Sequence, residues 1–218
     1  IQGKSPNQFM EYWKRNIWIM PNPGDGGSAL GAAARHYGKK LKWKGPYLGT
    51  EVPKMDPQKI VNELLNKGIA AVCSGRAEFG PRALGNRSLL ADPRGKITKL
   101  QIDLLKERKE QWRPYAPAIL AEHYDEYFKG PASEYMQFVS WHKTESLPLV
   151  AATDWSARVQ LVEKDCESVL REVLELWYKE TGCPALLNTS LNRKGAPIID
   201  NMVDYKKYTW WSKLNDIS

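Results

Sequence analysis

Two segments of the chain carry hydrophobic residues at the spacing of an amphipathic helix. The first starts at an N-cap Asp56 and stops at Gly68, and its apolar positions recur every three to four residues: Ile60, Val61, Leu64 and Leu65. The second spans residues 164–181, ends at Gly182 and repeats apolar residues from Val169 to Trp177. Both segments therefore predict helices that bury one face.

Short, continuous apolar runs lie between these helices. Residues 69–74 and the motif PALLNTSLN predict buried strands, and extended segments are predicted at 115–120, 135–141 and 158–162. Shorter helices are predicted at 96–108, 122–128 and 203–214. Because helices and strands interleave without strict βαβ regularity, we expect an α/β fold with a mixed sheet.

The N-terminal part has a different character. The glycine-rich stretch 24–31 predicts a turn that opens a short alanine-rich helix ending at Gly38. Residues 39–57 are basic, aperiodic and punctuated by Pro and Gly, which is typical of a linker. We place a domain boundary near residue 50, with one domain at 1–50 and another at 51–218.

Composition narrows the function classes. The 32 Lys and Arg residues against 25 Asp and Glu give a net charge of +7, which favours an anionic partner. With 42% hydrophobic residues the chain is not a disordered one, and no window approaches the roughly 18 apolar residues of a membrane span. The chain begins at Ile1 without a signal-peptide pattern, so we interpret it as a piece of a longer protein, cytoplasmic and with no membrane partner.

The cysteines Cys73, Cys166 and Cys183 are odd in number and widely separated. This spacing indicates neither a disulfide framework nor a zinc site. We expect three buried thiols in a reducing compartment.

The densest chemical signal is the stretch from Ser74 to Arg94. Glycines there let the backbone approach a ligand, and guanidinium groups bind phosphate oxygens in pairs. We expect a phosphoanion site directly after the 69–74 strand, and the alternative is a surface loop of solvated arginines. The arginines of this stretch are Arg76, Arg82, Arg87 and Arg94.

Four motifs in order, GRAEFGPRALGNRSLLADPR, WRPYAP, ARVQLV and PALLNTSLNRKGAPII, carry a family resemblance. They resemble the C-terminal half of the O-carbamoyltransferases that modify nodulation factors and antibiotics such as tobramycin and cephamycin. The resemblance covers most of residues 60–200 and extends more distantly to threonylcarbamoyl-adenylate synthases. It implies a twisted mixed sheet with helices that joins a carbamoyl unit to AMP, consuming ATP and carbamoyl phosphate. It also implies that Arg76, Arg82 and Arg87 bind these substrates.

The resemblance also gives roles to basic residues near WRPYAP. Lys106 and Arg108 form a K-x-R pair, the nucleotide-facing motif of the related synthases, and prolines fix the direction of Arg113. We expect these three to be catalytic, because a carbamate oxygen and the α-phosphate of ATP repel each other and need fixed cations. Many relatives place the lysine one residue nearer the tryptophan, where this chain has Glu107. The other lysine of this stretch, Lys109, is the alternative anion contact.

Polar residues at the end of the last predicted strand complete the expected site. Asn188, Ser190 and Asn192 are expected to hold triphosphate oxygens or the carbamoyl NH2, and the alternative is a plain Asx/Ser turn. Arg158 of ARVQLV is expected to be catalytic. Relatives usually have a histidine shortly before this motif, where this chain has Ala152. That difference favours, as the competing hypothesis, a catalytically inactive nucleotide- or RNA-binding module.

The segment PNPGDGGSALGAAA resembles the last block of an actin-like carbamoyl-transfer domain. In that family the aspartate of such a turn ligates a catalytic metal, so the resemblance implies that Asp25 binds Fe²⁺ in the full-length protein. The alternative is a turn that caps the following helix. The family's histidine pair is expected upstream, since His36, His123 and His142 lack its spacing.

The leading hypothesis is a fragment of an ATP-dependent O-carbamoyltransferase. It would form carbamoyl adenylate from carbamoyl phosphate and Mg²⁺-bound ATP, for transfer to an acceptor hydroxyl of a sugar, an antibiotic or a hydroxymethylated nucleobase. The aromatic run Tyr205, Tyr208, Trp210 and Trp211 is interpreted as core or interface, with a nucleic-acid stacking platform as the alternative.

Overall fold

The computed structural model describes residues 19–110 and 112–207. The helices in these ranges are α1 (Asp25–Tyr37), α2 (Pro57–Lys67), α3 (Lys99–Leu105), α4 (Tyr124–Tyr127), α5 (Val169–Thr181) and α6 (Met202–Lys207). The strands are β1 (Glu51–Val52), β2 (Ile69–Cys73), β3 (Gly75–Arg76), β4 (Arg87–Ala91), β5 (Ala116–Leu120), β6 (Phe128–Lys129), β7 (Ser140–His142), β8 (Ser156–Ala157), β9 (Gln160–Val162) and β10 (Ala185–Ser190). Short 3-10 turns occupy Ala121–His123 and Pro148–Val150.

A five-stranded sheet in the order β2-β4-β10-β5-β9 forms the centre of the fold. Its β5-β9 pair is parallel and its other pairs are antiparallel. Two smaller sheets, β1-β3 and β6-β7-β8, lie outside it. The prediction of an α/β fold with a mixed sheet is therefore confirmed.

Each face of the central sheet is covered by a separate hydrophobic cluster. Side chains alternate along a strand, so Ala70 and Val72 of β2 pack with α2 and α5, whereas Ile69 and Ala71 belong to the opposite cluster. Trp177 of α5 is almost fully buried in the first cluster. The sheet thus packs against an apolar cluster on both sides.

Helix α2 confirms its predicted boundaries because the local signals are strong. The Asp56 side chain accepts a hydrogen bond from the Gln58 N–H at 2.9 Å, and Pro57 occupies the first turn. Gly68 ends the helix in the left-handed conformation with φ of 75°. Strands β2, β5 and β10 also lie where the apolar runs predict them.

Several predicted boundaries are wrong. Helix α5 begins at Val169, where Ser168 caps it by accepting from the Leu170 N–H, and not at residue 164. Helix α3 is confined to Lys99–Leu105 by a capping box on Thr98. The predicted 135–141 strand is reduced to the short β7, and the predicted 158–162 strand to β9.

Strand β4 corrects the interpretation of residues 74–94 as one long loop. The segment RSLLA pairs with β2 on one side and β10 on the other, and all five residues are buried. The loop proper ends at Asn86. Arg87, predicted as a ligand-binding loop residue, is the first residue of a central strand.

The segment that precedes β1 also packs against this core. Segment 43–50 contacts it, since the Tyr47 hydroxyl donates to the Leu84 carbonyl at 3.1 Å. The boundary near residue 50 stays a prediction.

Cys73 and Cys183 are buried free thiols, and Cys166 is partly buried. No helix among the described residues could span a membrane. Tyr205 packs against the core; Tyr208, Trp210 and Trp211 lie outside the described residues.

Candidate active site

Four arginines from distant parts of the chain line one small pocket at the end of β10. Arg82 comes from the loop before β4, Arg108 and Arg113 from the connection between α3 and β5, and Arg158 from the turn before β9. The pocket has a volume of about 100 Å³, and Asn188, Thr189 and Ser190 of β10 contribute to its wall. No Asp or Glu of the described residues is part of that lining.

The charges in this pocket repel one another. Burial, and then the charge of Arg113, lower the pKa of Arg82. The pKa of Arg158 is also lowered, mainly by burial and then by the charges of Arg82 and Arg113. A cluster of like charges held partly out of water is stabilised by an anion that neutralises it. The site is therefore electrostatically suited to a small, multiply charged anion.

Arg108 is held in place from one side and left open on the other. Its guanidinium carbon lies 4.9 Å from the ring centroid of Tyr115, whose hydroxyl donates to Asp103 Oδ1 at 2.6 Å. Its Nη1 is buried and has no hydrogen-bond partner in the described part of the chain. Buried polar atoms are nearly always paired, so this donor is available to a ligand.

Asn188 is fixed by two acceptors. Its Nδ2 donates to Gln160 Oε1 at 2.7 Å and to the Ala83 carbonyl at 3.2 Å, and Gln160 Nε2 in turn donates to the Leu84 carbonyl at 2.9 Å. The orientation of both amides follows from these two backbone carbonyls, which can only accept. Asn188 is 1% exposed, and its Oδ1 has no hydrogen-bond partner within residues 19–110 and 112–207.

Lys106 lies beside the pocket, and its amine is directed to the turn after β10. It donates to the carbonyls of Ser190 and Asn192, the latter at 3.2 Å, and to Asn192 Oδ1 at 3.3 Å. Ser190 Oγ also donates to Asn192 Oδ1, at 2.6 Å. Burial, and then the charge of Arg108, lower the pKa of Lys106 to about 7. Lys109 is exposed and, like Lys106, is absent from the pocket lining.

Arg87 and Arg76, two of the predicted ligand-binding arginines, are not part of the pocket lining. The guanidinium of Arg87 is fully buried, and its Nε donates to the Asp200 carbonyl at 2.9 Å. Its Nη1 donates to the Ser74 carbonyl at 3.0 Å, and its Nη2 to the Thr50 carbonyl at 2.8 Å. Arg87 therefore joins the 48–52 segment, β2 and the 200 region. Arg76 is exposed on β3 and donates to the Leu48 carbonyl.

Glu78 is an organising residue that sequence reasoning missed. Its Oε1 accepts the backbone N–H groups of Leu84, Asn86 and Arg87 at 2.7, 2.8 and 3.2 Å. This single oxygen folds the loop that presents Arg82. The available signal was that Glu78 is the only carboxylate between Gly75 and Leu90.

Two further positions concern the expected histidine and metal. Ala152 lies in a tight turn in which its carbonyl accepts the Trp155 N–H at 2.9 Å. Asp25 is exposed in the first turn of α1, which Gly24 caps without a side-chain hydrogen bond. Among the described residues no group of three His, Cys, Asp or Glu side chains could hold a metal. Asp25 thus belongs to no such group within residues 19–110 and 112–207.

The fold and this pocket together define an α/β domain with a cluster of arginines at the end of its central sheet. The family model "Carbamoyltransferase C-terminus" matches residues 61–217. The chain therefore belongs to the carbamoyltransferases, a family of transferase enzymes, and carries their C-terminal domain.

Several curated relatives are similar over most of the chain. Nodulation protein NolNO of Sinorhizobium fredii is 33% identical over 87% of this chain and 33% of its own length. Nodulation protein NolO of Bradyrhizobium diazoefficiens is 32% identical over 87% of this chain and 41% of its own length. Nodulation protein U of Rhizobium tropici is 35% identical over 82% and 34%. The chain thus spans only about a third to two fifths of these relatives.

Proposed function

We propose that the arginine pocket binds carbamoyl phosphate and the reacting phosphates of Mg²⁺-bound ATP, and that it forms carbamoyl adenylate. The observation that carries this is the convergence of Arg82, Arg108, Arg113 and Arg158 on one pocket. The family places the chemistry in carbamoyl transfer. The whole protein would then pass the carbamoyl group to an acceptor hydroxyl.

The proposed reaction has two steps, hydrolysis of carbamoyl phosphate and adenylation of the resulting carbamate. Water hydrolyses carbamoyl phosphate to carbamate and inorganic phosphate. A carbamate oxygen then attacks the α-phosphorus of ATP; the new O–P bond forms as the bond to the bridging oxygen breaks, and pyrophosphate leaves. Carbamate and triphosphate are both anions, so fixed guanidinium groups reduce the repulsion between them and stabilise charge that develops in the transition state.

The size of the pocket supports a role at the reacting end of the substrates. Its volume of about 100 Å³ is well below the roughly 300 Å³ at which pockets for larger ligands begin. It is suited to a phosphoryl or carbamoyl phosphate group and too small for a whole nucleotide. The nucleoside of ATP would extend outside the four arginines.

Calorimetric titration with carbamoyl phosphate tests the binding. We expect Arg158→Ala to weaken binding by about 1.5–3 kcal/mol, the range for hydrogen bonds to charged groups. The matched control is Arg35→Ala, which removes the same charge from an exposed position on α1. Equal affinity in native protein and Arg158→Ala would refute the site.

Release of pyrophosphate tests the reaction. Native protein with ATP, Mg²⁺ and carbamoyl phosphate is expected to release pyrophosphate, and Arg158→Ala to release less. Binding of both substrates without pyrophosphate release would favour the competing hypothesis of an inactive nucleotide-binding module, which Ala152 in the place of the usual histidine motivates.

A further inference from the structure

One residue of the pocket lining, Asn188, carries a buried acceptor that none of the described residues satisfies. Asn188 Oδ1 is shielded from solvent and unpaired within the described residues, although four guanidinium groups line the same pocket. An unpaired buried carbonyl oxygen costs free energy, so a ligand that donates to it gains more than a solvated hydrogen bond would give.

The amide of Asn188 cannot turn round to hide this oxygen. Rotation by half a turn would place Oδ1 against the Ala83 carbonyl and Gln160 Oε1, both of which only accept. Gln160 is fixed in the same way, because its Nε2 donates to the Leu84 carbonyl. Gln160 is 2% exposed and lies on β9, beside β5 and one strand removed from β10. Two backbone carbonyls of one loop thus set the polarity of the pocket wall.

We propose that Asn188 determines specificity for the carbamoyl group by accepting a hydrogen bond from its NH2, and that Gln160 is the positioning residue that holds Asn188 in this orientation. This inference rests on the proposed function. It adds that the anion must also carry an N–H donor beside its charged end. A phosphoanion with a methyl group there would leave Oδ1 unpaired while excluding water from it.

Acetyl phosphate is the matched probe, since it replaces the NH2 of carbamoyl phosphate by a methyl group of similar size and keeps the charge. We expect native protein to bind carbamoyl phosphate about tenfold or more tightly than acetyl phosphate, because a site built around a buried acceptor rejects the analogue that lacks the donor. Both affinities are measured by calorimetry on the 218-residue chain, with inorganic phosphate reporting the arginines alone.

Variants separate specificity from general damage. Asn188→Ala is expected to bring the ratio of the two affinities close to one, and Gln160→Leu to lower it. Gln160→Glu keeps an oxygen that accepts from Asn188 Nδ2, so it should retain more of the ratio than Gln160→Leu. Asn66→Ala, the same substitution at an exposed position on α2 outside the pocket lining, should leave the ratio unchanged.

The outcomes distinguish this inference from the function on which it rests. Equal affinity of native protein for the two phosphates, or a ratio that persists in Asn188→Ala, overturns the role of Asn188. A ratio unaffected by Gln160→Leu overturns the role of Gln160. Failure to bind carbamoyl phosphate, acetyl phosphate and inorganic phosphate alike overturns the proposed function together with the inference. The native ratio is decisive even if a variant does not fold.

Discussion

Replacing Glu78 by alanine should destabilise the protein by about 3 kcal/mol. The change leaves the backbone N–H groups of Leu84, Asn86 and Arg87 without their acceptor. Each unsatisfied buried donor costs about 1–3 kcal/mol, and we take the low end for each of the three because the shortened side chain admits water. Domains of this kind unfold with about 5–15 kcal/mol, so the loss is a large fraction of stability.

Glutamine at the same position separates the hydrogen bonds from the charge. Burial raises the pKa of Glu78 despite the hydrogen bonds from the backbone. A raised pKa in the folded state means that the folded protein binds more protons than the unfolded chain. The stability from protonated Glu78 is therefore fully present below the unfolded pKa and is lost as pH rises through the folded pKa. Glu78→Gln keeps an acceptor oxygen without the charge, so at neutral pH we expect it within about 1 kcal/mol of native.

Urea unfolding followed by tryptophan fluorescence measures both variants at neutral and at acidic pH. Glu180→Ala, an exposed carboxylate on α5, is the matched control and should leave the midpoint nearly unchanged. A Glu78→Ala midpoint equal to this control would show that the three hydrogen bonds contribute nothing. A Glu78→Gln variant as unstable as Glu78→Ala would show that the charge stabilises the loop, and would refute the argument.

Further predictions concern Arg87, two glycines and Lys106. Arg87→Lys should lower the free energy of unfolding by about 3 kcal/mol in urea, because an ammonium has three donors whereas the planar guanidinium donates to more carbonyls. An unchanged free energy of unfolding would show that these hydrogen bonds are dispensable. Gly85 has a φ of 122°, and an added Cβ would lie 2.4 Å from Ser168 Oγ, so Gly85→Ala should lower the melting temperature. Gly31 lies in the open middle of α1, so Gly31→Ala should instead increase the free energy of unfolding by about 0.5–1 kcal/mol. Since burial lowers the pKa of Lys106 to about 7, carbamoyl phosphate affinity should fall as pH rises through that value, and Lys106→Met should flatten the calorimetric pH profile.

The elements that the sequence predicts well are those determined by local signals. Helix α2 has an Asp cap, a first-turn Pro and a terminal Gly, and β2 is a continuous apolar run. Strand β4 begins with an arginine inside a stretch rich in Gly and Pro, which locally predicts a loop. Its pairing with β2 and β10, and the carbonyls that satisfy Arg87, are tertiary contacts that no window of sequence contains.

The candidate site divides in the same way. Motifs were sufficient to select Arg82, Arg108, Arg113 and Arg158, which the structure brings to one pocket. They did not separate these from Arg87, whose guanidinium is used internally. Arg87 differs from these arginines because it is fully buried, and its burial depends on the whole fold.

The supporting side chains were also beyond motif reasoning. Gln160 and Glu78 act through backbone carbonyls and N–H groups of one loop. Apart from the isolation of the Glu78 carboxylate between Gly75 and Leu90, such contacts leave no residue-type pattern. Lys106, predicted as an anion contact, lies behind the turn that it holds. Its role as a direct ligand contact stays a prediction.

The position of β10 has a consequence for the way the chain is made. It is the last strand of the described residues, yet it lies between β4 and β5, which have no pairing with each other. A ribosome that has delivered residues up to 184 has produced two apolar strands with open edges and nothing to join them. Such edges are templates for aggregation, so the nascent domain depends on fast completion or on chaperones until Ser190 emerges. A stop codon shortly before β10 should therefore yield insoluble protein, whereas the 218-residue chain should stay in solution.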